Sequence, residues 1–170
     1  MTDKRFAYRR QWGGGCILFE EDGVSTEAWN HGEMTVETVR VLIADDHAEF
    51  RAAIKLLLVS HPGIEVVGEA SDGAQAILKA REIEPDLVLM DLKMPHVNGL
   101  SATRTLKREM PALKVIIITL YGDQEYREAA KDSGADGFLT KDLVGWELAP
   151  AIWRVVNNQP WKGSFASVSP

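Results

Sequence analysis

From Val39 onward the chain alternates between short apolar runs and longer segments whose apolar residues recur at helical spacing. The runs are VRVLIA (39–44), IEVVG (64–68), DLVLM (86–90), KVIIIT (114–119) and GFLT (137–140). Each is too short for an ordinary helix, and several are rich in valine and isoleucine, as expected of parallel strands buried on both faces. Between them, Phe50, Ile54 and Leu57 share one helical face, Ala74, Ile77 and Leu78 a second, and Thr103 and Leu106 a third. The segment DQEYREAAKDSG carries a weaker fourth face of Tyr126, Ala129 and Ala130, with Gly134 as its stop. Asp46 followed by Glu49 has capping-box spacing, and Ser71 is the expected cap of the second helix. Pro62, Pro85 and Pro111 fall between elements, where a missing N–H breaks nothing. In the last segment, DLVGWELAPAIWRVVNN, Gly145 and Pro150 place the start of regular helix between Trp146 and Ala149, because proline is tolerated without a kink only in a first turn. Leu148, Ile152 and Val155 then face the sheet. The pattern predicts an α/β domain over residues 38–158, a five-stranded parallel sheet flanked by helices.

The flanks have a different texture. Residues 1–37 combine a basic start (Lys4, Arg5, Arg9, Arg10), a glycine triplet from Gly13 to Gly15, an apolar patch from Cys16 to Phe19 and a mostly acidic stretch. A hairpin turning at Asp22 and Gly23 has poor flanking alternation, so an irregular N-terminal arm is expected. Residues 159–170 are read as a C-terminal tail or the start of a truncated linker. At 170 residues and 45% hydrophobic, the chain can bury one core of ordinary size. The single cysteine excludes an internal disulfide and a thiolate metal site, and His31, His47, His61 and His96 lack zinc-motif spacing. No apolar run approaches the roughly 20 residues of a membrane span, and the start lacks a signal-peptide core. The expected compartment is the cytoplasm.

Chemistry concentrates at the ends of the predicted strands, where open α/β sheets place their working sites. Asp45 and Asp46 end the first strand, Asp91 the third and Thr119 the fourth, and Lys141 follows the fifth. Singly, each has an ordinary explanation: helix cap, loop-entry aspartate, strand threonine, solvated lysine. Together, if the first and third strands are neighbours, they converge on one edge of the sheet. Three carboxylates there repel one another and require a hard cation or raised pKa values. Mg2+ is the natural candidate, because it prefers oxygen ligands and keeps positions open for water and a phosphoryl group.

On these residues the chain resembles the receiver domains of two-component response regulators, over residues 39 to about 158. The matching features are the acidic pair Asp45 and Asp46, the DLKMP stretch beginning at Asp91, Thr119, Phe138 and Lys141. DDHAEFR, VVGEASDG and SGADGFLTKD are similar to the LuxR or nitrate-response subfamily. The resemblance implies a flavodoxin-like topology and a cytoplasmic signalling switch that accepts a phosphoryl group on Asp91 from a histidine kinase or phosphotransfer protein. It further implies Mg2+ held by Asp46, Asp91 and the backbone carbonyl of Lys93, with Asp45 acting partly through water. Lys141 pairs with the phosphoryl group, Thr119 is the switch hydroxyl and Phe138 the switch aromatic. Catalysis extends only to the domain's own phosphorylation and dephosphorylation. Lys93 and Tyr121 are read either as flanking the path of attacking water or as solvated loop residues.

Other features depart from that pattern. LuxR-type regulators continue into a DNA-binding helix-turn-helix, whereas NNQPWKGSFASVSP offers no helical period. With a net charge of -6, specific nucleic-acid binding by this polypeptide alone is not expected. The expectation is a stand-alone receiver or one lacking its output domain. Trp146, Trp153 and Trp161 exceed what one buried face accommodates, which marks Trp146 and Trp153 as candidates for packing at the domain edge or for a partner or homodimer surface. Leu120 is bulky enough to narrow the site. The competing class is a receiver-like protein-binding module that signals without phosphorylation.

Overall fold

The computed structural model describes residues 38–158, and a strand forms at each apolar run. The order is β1 (Val39–Ala44), α1 (Ala48–Val59), β2 (Ile64–Ala70), α2 (Gly73–Ile83), β3 (Leu87–Asp91), α3 (Gly99–Glu109), β4 (Lys114–Thr119), α4 (Gln124–Asp132), β5 (Gly137–Thr140) and α5 (Val144–Val156). A 3-10 turn, Lys141–Leu143, leads into α5. All pairings are parallel and the strands lie in the order β2-β1-β3-β4-β5. This is the flavodoxin-like winding, and it makes β1 and β3 neighbours, in register from Val41 opposite Leu87 to Ala44 opposite Met90. The arm expected at 1–37, the tail at 159–170, Cys16 and Trp161 lie outside the described residues.

Alternate residues of each strand feed two separate cores, which is why the runs are continuously apolar. Val41, Ile43, Leu89 and Ile116 pack under α1 and α5 with Ile54, Leu58, Leu148 and Ile152. Leu42, Val88, Met90 and Ile117 face the other way, against Ala76, Ala80, Ala102 and Leu106 of α2 and α3. Small residues on α2 let that helix approach closely. Its fully buried residues are Gly73, Ala76 and Ala80; of the expected face, Ile77 packs partly buried on this core and Ala74 is half-buried, but Leu78 is turned to solvent. The caps also differ. Asp72, not Ser71, accepts from the N–H of Gln75 at the start of α2. The first residue before α1 is His47, with no side-chain cap, so Asp46 is not used as one.

The largest departure is α5. Regular helix begins at Val144, before Trp146, and runs through Pro150 as an interior residue. The buried series Val144, Leu148, Ala151, Ile152 and Val155 outweighs the proline, whose missing N–H leaves the carbonyl of Trp146 without its helical partner. Because Pro150 is exposed, Pro150→Ala should stabilise the fold by about 1–2 kcal/mol. The check is a melting temperature; a decrease would contradict a helix continuous through this position.

Candidate functional site

Parallel pairing brings the carboxyl ends of all five strands to one edge, and there Asp45, Asp91, Thr119 and Lys141 come together. Asp45 is almost completely engaged by protein groups. Its N–H donates to the carbonyl of Ala70 (3.1 Å), and its own carbonyl accepts from Arg51 (2.7 Å). One carboxylate oxygen accepts from the N–H of His47 (2.9 Å), and the other pairs with the Lys141 ammonium (2.6 Å). Asp46, one residue on, turns outward instead, with Nδ1 of His47 2.8 Å from its carboxylate.

Asp91 is 5% exposed. Lys141 reaches it at 3.6 Å, a full ångström longer than its contact with Asp45. Burial pushes the Asp91 carboxyl up to about 6, Lys141 opposes the shift, and the Asp45 charge adds to it. The loop after β3 closes tightly beneath it: the N–H of Gly99 donates to the carbonyl of Leu92 (3.0 Å), and a Cβ on Gly99 would overlap the carbonyl oxygen of Asp91. Glycine is required there because a backbone approaches it.

Thr119 is buried, and its hydroxyl oxygen accepts from the N–H of Tyr121 (3.3 Å). Phe138 lies inward, 6% exposed, with the Arg127 guanidinium 4.9 Å from its ring centre. The Lys93 side chain is exposed and its ammonium stands 3.7 Å above the Tyr121 ring, so the loops after β3 and β4 touch across the site. Leu120, next to Thr119, is 72% exposed. Of the two tryptophans expected at an interface, Trp146 is exposed, but Trp153 packs half-buried on the core and is not a free surface residue.

The arrangement sets three carboxylates against one ammonium; burial is the main cause of the raised Asp91 pKa, and the charges of Asp45 and Asp46 add to it. A hard divalent cation fits such a donor set. Among the described residues, the tightest grouping of possible ligand atoms is Asp45, Asp46 and His47, all within 4.8 Å of one another. It contains a nitrogen donor, His47, that the sequence did not single out, and Asp91 is not within it. His47 and Arg51 were both missed as site residues. Nothing in their spacing signals chemistry, although Arg51 lies four residues beyond His47 and so on the same side of α1.

The sheet order and the acidic edge define a doubly wound α/β domain that handles a charged group at its strand ends. The sequence family described as the response regulator receiver domain matches residues 41–152, and the chain belongs to that family. Its members are the phosphorylation-dependent switches of two-component systems, and Mg2+ binding at an acidic pocket is a family feature. The chain is 40% identical over 121 residues to the response regulator GacA of Pseudomonas viridiflava, covering 71% of this chain and 56% of that protein. It is 39% identical to the response regulator VraR of Staphylococcus saprophyticus over an equal length, 58% of that protein. The chain thus spans a little over half the length of these relatives. Among solved structures it is similar to a LuxR-family response regulator from an Aurantimonas species (TM-score 0.70, 33% identity, 72% of this chain and 88% of that one). It is also similar to the receiver domain of the NarL regulator of Mycobacterium tuberculosis (TM-score 0.69, 31% identity, 72% and 99%). No described helix is long and apolar enough to cross a membrane.

Proposed function

We propose that Asp91 is the phosphoryl acceptor of this receiver, with Lys141, Thr119 and Asp46 as its working partners. The observation that carries the reading is the Lys141 ammonium, which lies between the buried carboxylates of Asp45 (2.6 Å) and Asp91 (3.6 Å). An ionised Asp91 oxygen attacks the phosphorus of a phosphohistidine on a kinase or phosphotransfer protein. An oxygen–phosphorus bond forms, the phosphorus–nitrogen bond breaks, and the departing imidazole takes up a proton. Mg2+, when held by Asp46 and Asp91 with the Lys93 carbonyl, supplies charge neutralisation at the phosphoryl oxygens. Asp45, with both carboxylate oxygens on protein donors, acts by orienting Lys141 and through water.

The long contact from Lys141 to Asp91 leaves the ammonium able to reach an incoming phosphoryl oxygen. The Thr119 hydroxyl donates to another after moving inward, which breaks its contact with the Tyr121 N–H. That exchange moves the loop after β4 and alters the packing between Arg127 and Phe138 at the next strand, so a covalent event becomes a change of surface. The output surface includes α4, β5 and exposed Trp146 and is offered to a protein partner or a second copy of the chain. By itself this acidic polypeptide binds no specific DNA site. In a longer LuxR-type regulator the same switch would govern an attached DNA-binding domain.

The test is incubation with a small-molecule phosphodonor and Mg2+. Intact mass should rise by one phosphoryl group per chain, in a linkage cleaved by hydroxylamine, as an acyl phosphate is and a threonine ester is not. Light scattering on the same samples should show a shift from monomer toward dimer. Uptake that resists hydroxylamine would overturn the acceptor assignment, and an unchanged monomer would remove the second-copy output.

A further inference from the structure

Asp45 and Asp46 sit on a turn between β1 and α1 whose shape must be held against the mutual repulsion of their charges. Among the described residues, Arg51 is the side chain of α1 that both reaches into that turn and bonds to β2. Its NH1 donates to the carbonyl oxygen of Asp45 (2.7 Å), and its Nε pairs with Glu69 near the end of β2 (3.0 Å). The side chain is 16% exposed, so both contacts are sheltered. Glu69 is itself fixed. Lys55, one helical turn beyond Arg51, pairs with its other carboxylate oxygen (2.7 Å), and the Lys79 ammonium from α2 donates to its backbone carbonyl. Lys55 first, then Arg51, hold the Glu69 carboxyl below its usual range.

A guanidinium suits this task and an ammonium does not: its planar fork donates in two fixed directions at once, one to a carbonyl and one to a carboxylate. The opposite side of the turn is closed by the Asp45 N–H on the carbonyl of Ala70, the residue after Glu69. Asp45 is therefore clamped to the end of β2 through both of its backbone polar groups, one directly and one through Arg51. Asp46, which follows on the same turn, inherits that position.

We infer that Arg51 is a positioning residue for the divalent-cation site, acting through the Asp45 carbonyl and anchored by Glu69, so that the acidic pair is presented in a binding geometry before any cation arrives. The inference rests on the receiver reading of Asp46 and Asp91 as cation ligands. Its value lies in an opposite sign of effect. Electrostatics alone says that removing a positive charge near a cation site tightens cation binding. Loss of positioning weakens it, on the order of 10-fold to 100-fold for groups that orient metal ligands.

The experiment is Mg2+ titration of the full chain by calorimetry, with no phosphodonor present, on wild type, Arg51→Ala, Arg51→Lys and Glu69→Gln. Circular dichroism melts accompany it to show that each variant is folded. Arg51→Ala should weaken Mg2+ binding about 10-fold. Arg51→Lys, which keeps the charge but not the fork, should recover only part of the loss. Glu69→Gln, which leaves Arg51 in place but loosens its anchor, should weaken binding less than Arg51→Ala and remains informative if Arg51→Ala fails to fold. Combined with Arg51→Ala, it should add nothing further. Equal or tighter Mg2+ binding by folded Arg51→Ala would overturn the positioning role while leaving the receiver reading intact. Absence of Mg2+ binding by wild type would instead overturn the cation-site reading on which it rests.

Discussion

Asp91→Asn is expected to take up no phosphoryl group from a small-molecule donor under conditions in which the wild-type chain is modified stoichiometrically. The amide oxygen of asparagine carries no ionisable charge and is a poor nucleophile, while its size and shape leave the surrounding contacts in place. No neighbouring carboxylate is ready to substitute. Both oxygens of Asp45 are held, by His47 and Lys141, and Asp46 faces outward beside His47. Intact mass spectrometry reads the result directly. Uptake by the variant at the wild-type level would mean that the acceptor is another residue and that the buried carboxylate has a different task.

The strands were legible because each carries apolar residues on both faces, a pattern that few other environments tolerate. β3 is shifted by one residue, to Leu87–Asp91, and β2 differs most: it continues through Glu69 and Ala70, polar–apolar positions that pair with Ile43 and Ala44 after a register shift beside Leu42. Pairing, not hydrophobicity, carries it there. The helices were legible as segments and, outside α2, as faces too: Ile54, Thr103, Leu106, Ala130, Leu148, Ile152 and Val155 are all buried. The Leu78 expectation failed because the α2 interface selects small residues for close approach, and apolar size is then a misleading guide. The α5 boundary failed for a related reason, since propensity at Pro150 yields to the burial of Leu148 and Ile152 on either side of it.

In the site, residues with a chemical reason to sit at a strand end were foreseeable: Asp45, Asp91, Thr119 and Lys141 all lie where the strand ends place them. Residues whose task depends on a partner far along the chain were not. Arg51 meets Glu69 18 residues later; His47, next to the acidic pair in sequence, was missed for a different reason, since only the local turn sets its ring against Asp46. The same distinction explains Phe138 and Trp153. An aromatic residue at a strand or helix position announces burial or a surface role only once its neighbours are known. Here Arg127 lies over one ring, and the sheet-facing core holds the other.

A second large effect concerns stability, and its sign is opposite to the functional loss. The Asp91 carboxyl lies at about 6 in the folded protein, against about 4 for an aspartate in an unfolded chain. A carboxyl raised by folding binds its proton more tightly in the native state, so its contribution is most favourable below pH 4 and is lost as pH rises from about 4 through 6. Above that window the ionised group destabilises the fold by about 3 kcal/mol, the two-unit difference at about 1.4 kcal/mol per unit. Asparagine does not titrate. In EDTA, Asp91→Asn should therefore be more stable than wild type by up to about 3 kcal/mol near pH 7.5, with the advantage shrinking toward zero near pH 4. Urea denaturation at several pH values measures the difference, and comparing the two proteins at each pH cancels the titration of all other carboxylates. Added Mg2+ should then stabilise wild type more than the variant, because the cation binds the native state through the charge that asparagine lacks. A variant that is no more stable at pH 7.5, or whose advantage is the same at every pH, would show that the Asp91 charge is already compensated in the folded chain. The strain that makes this carboxylate ready for a phosphoryl group would then have to lie elsewhere.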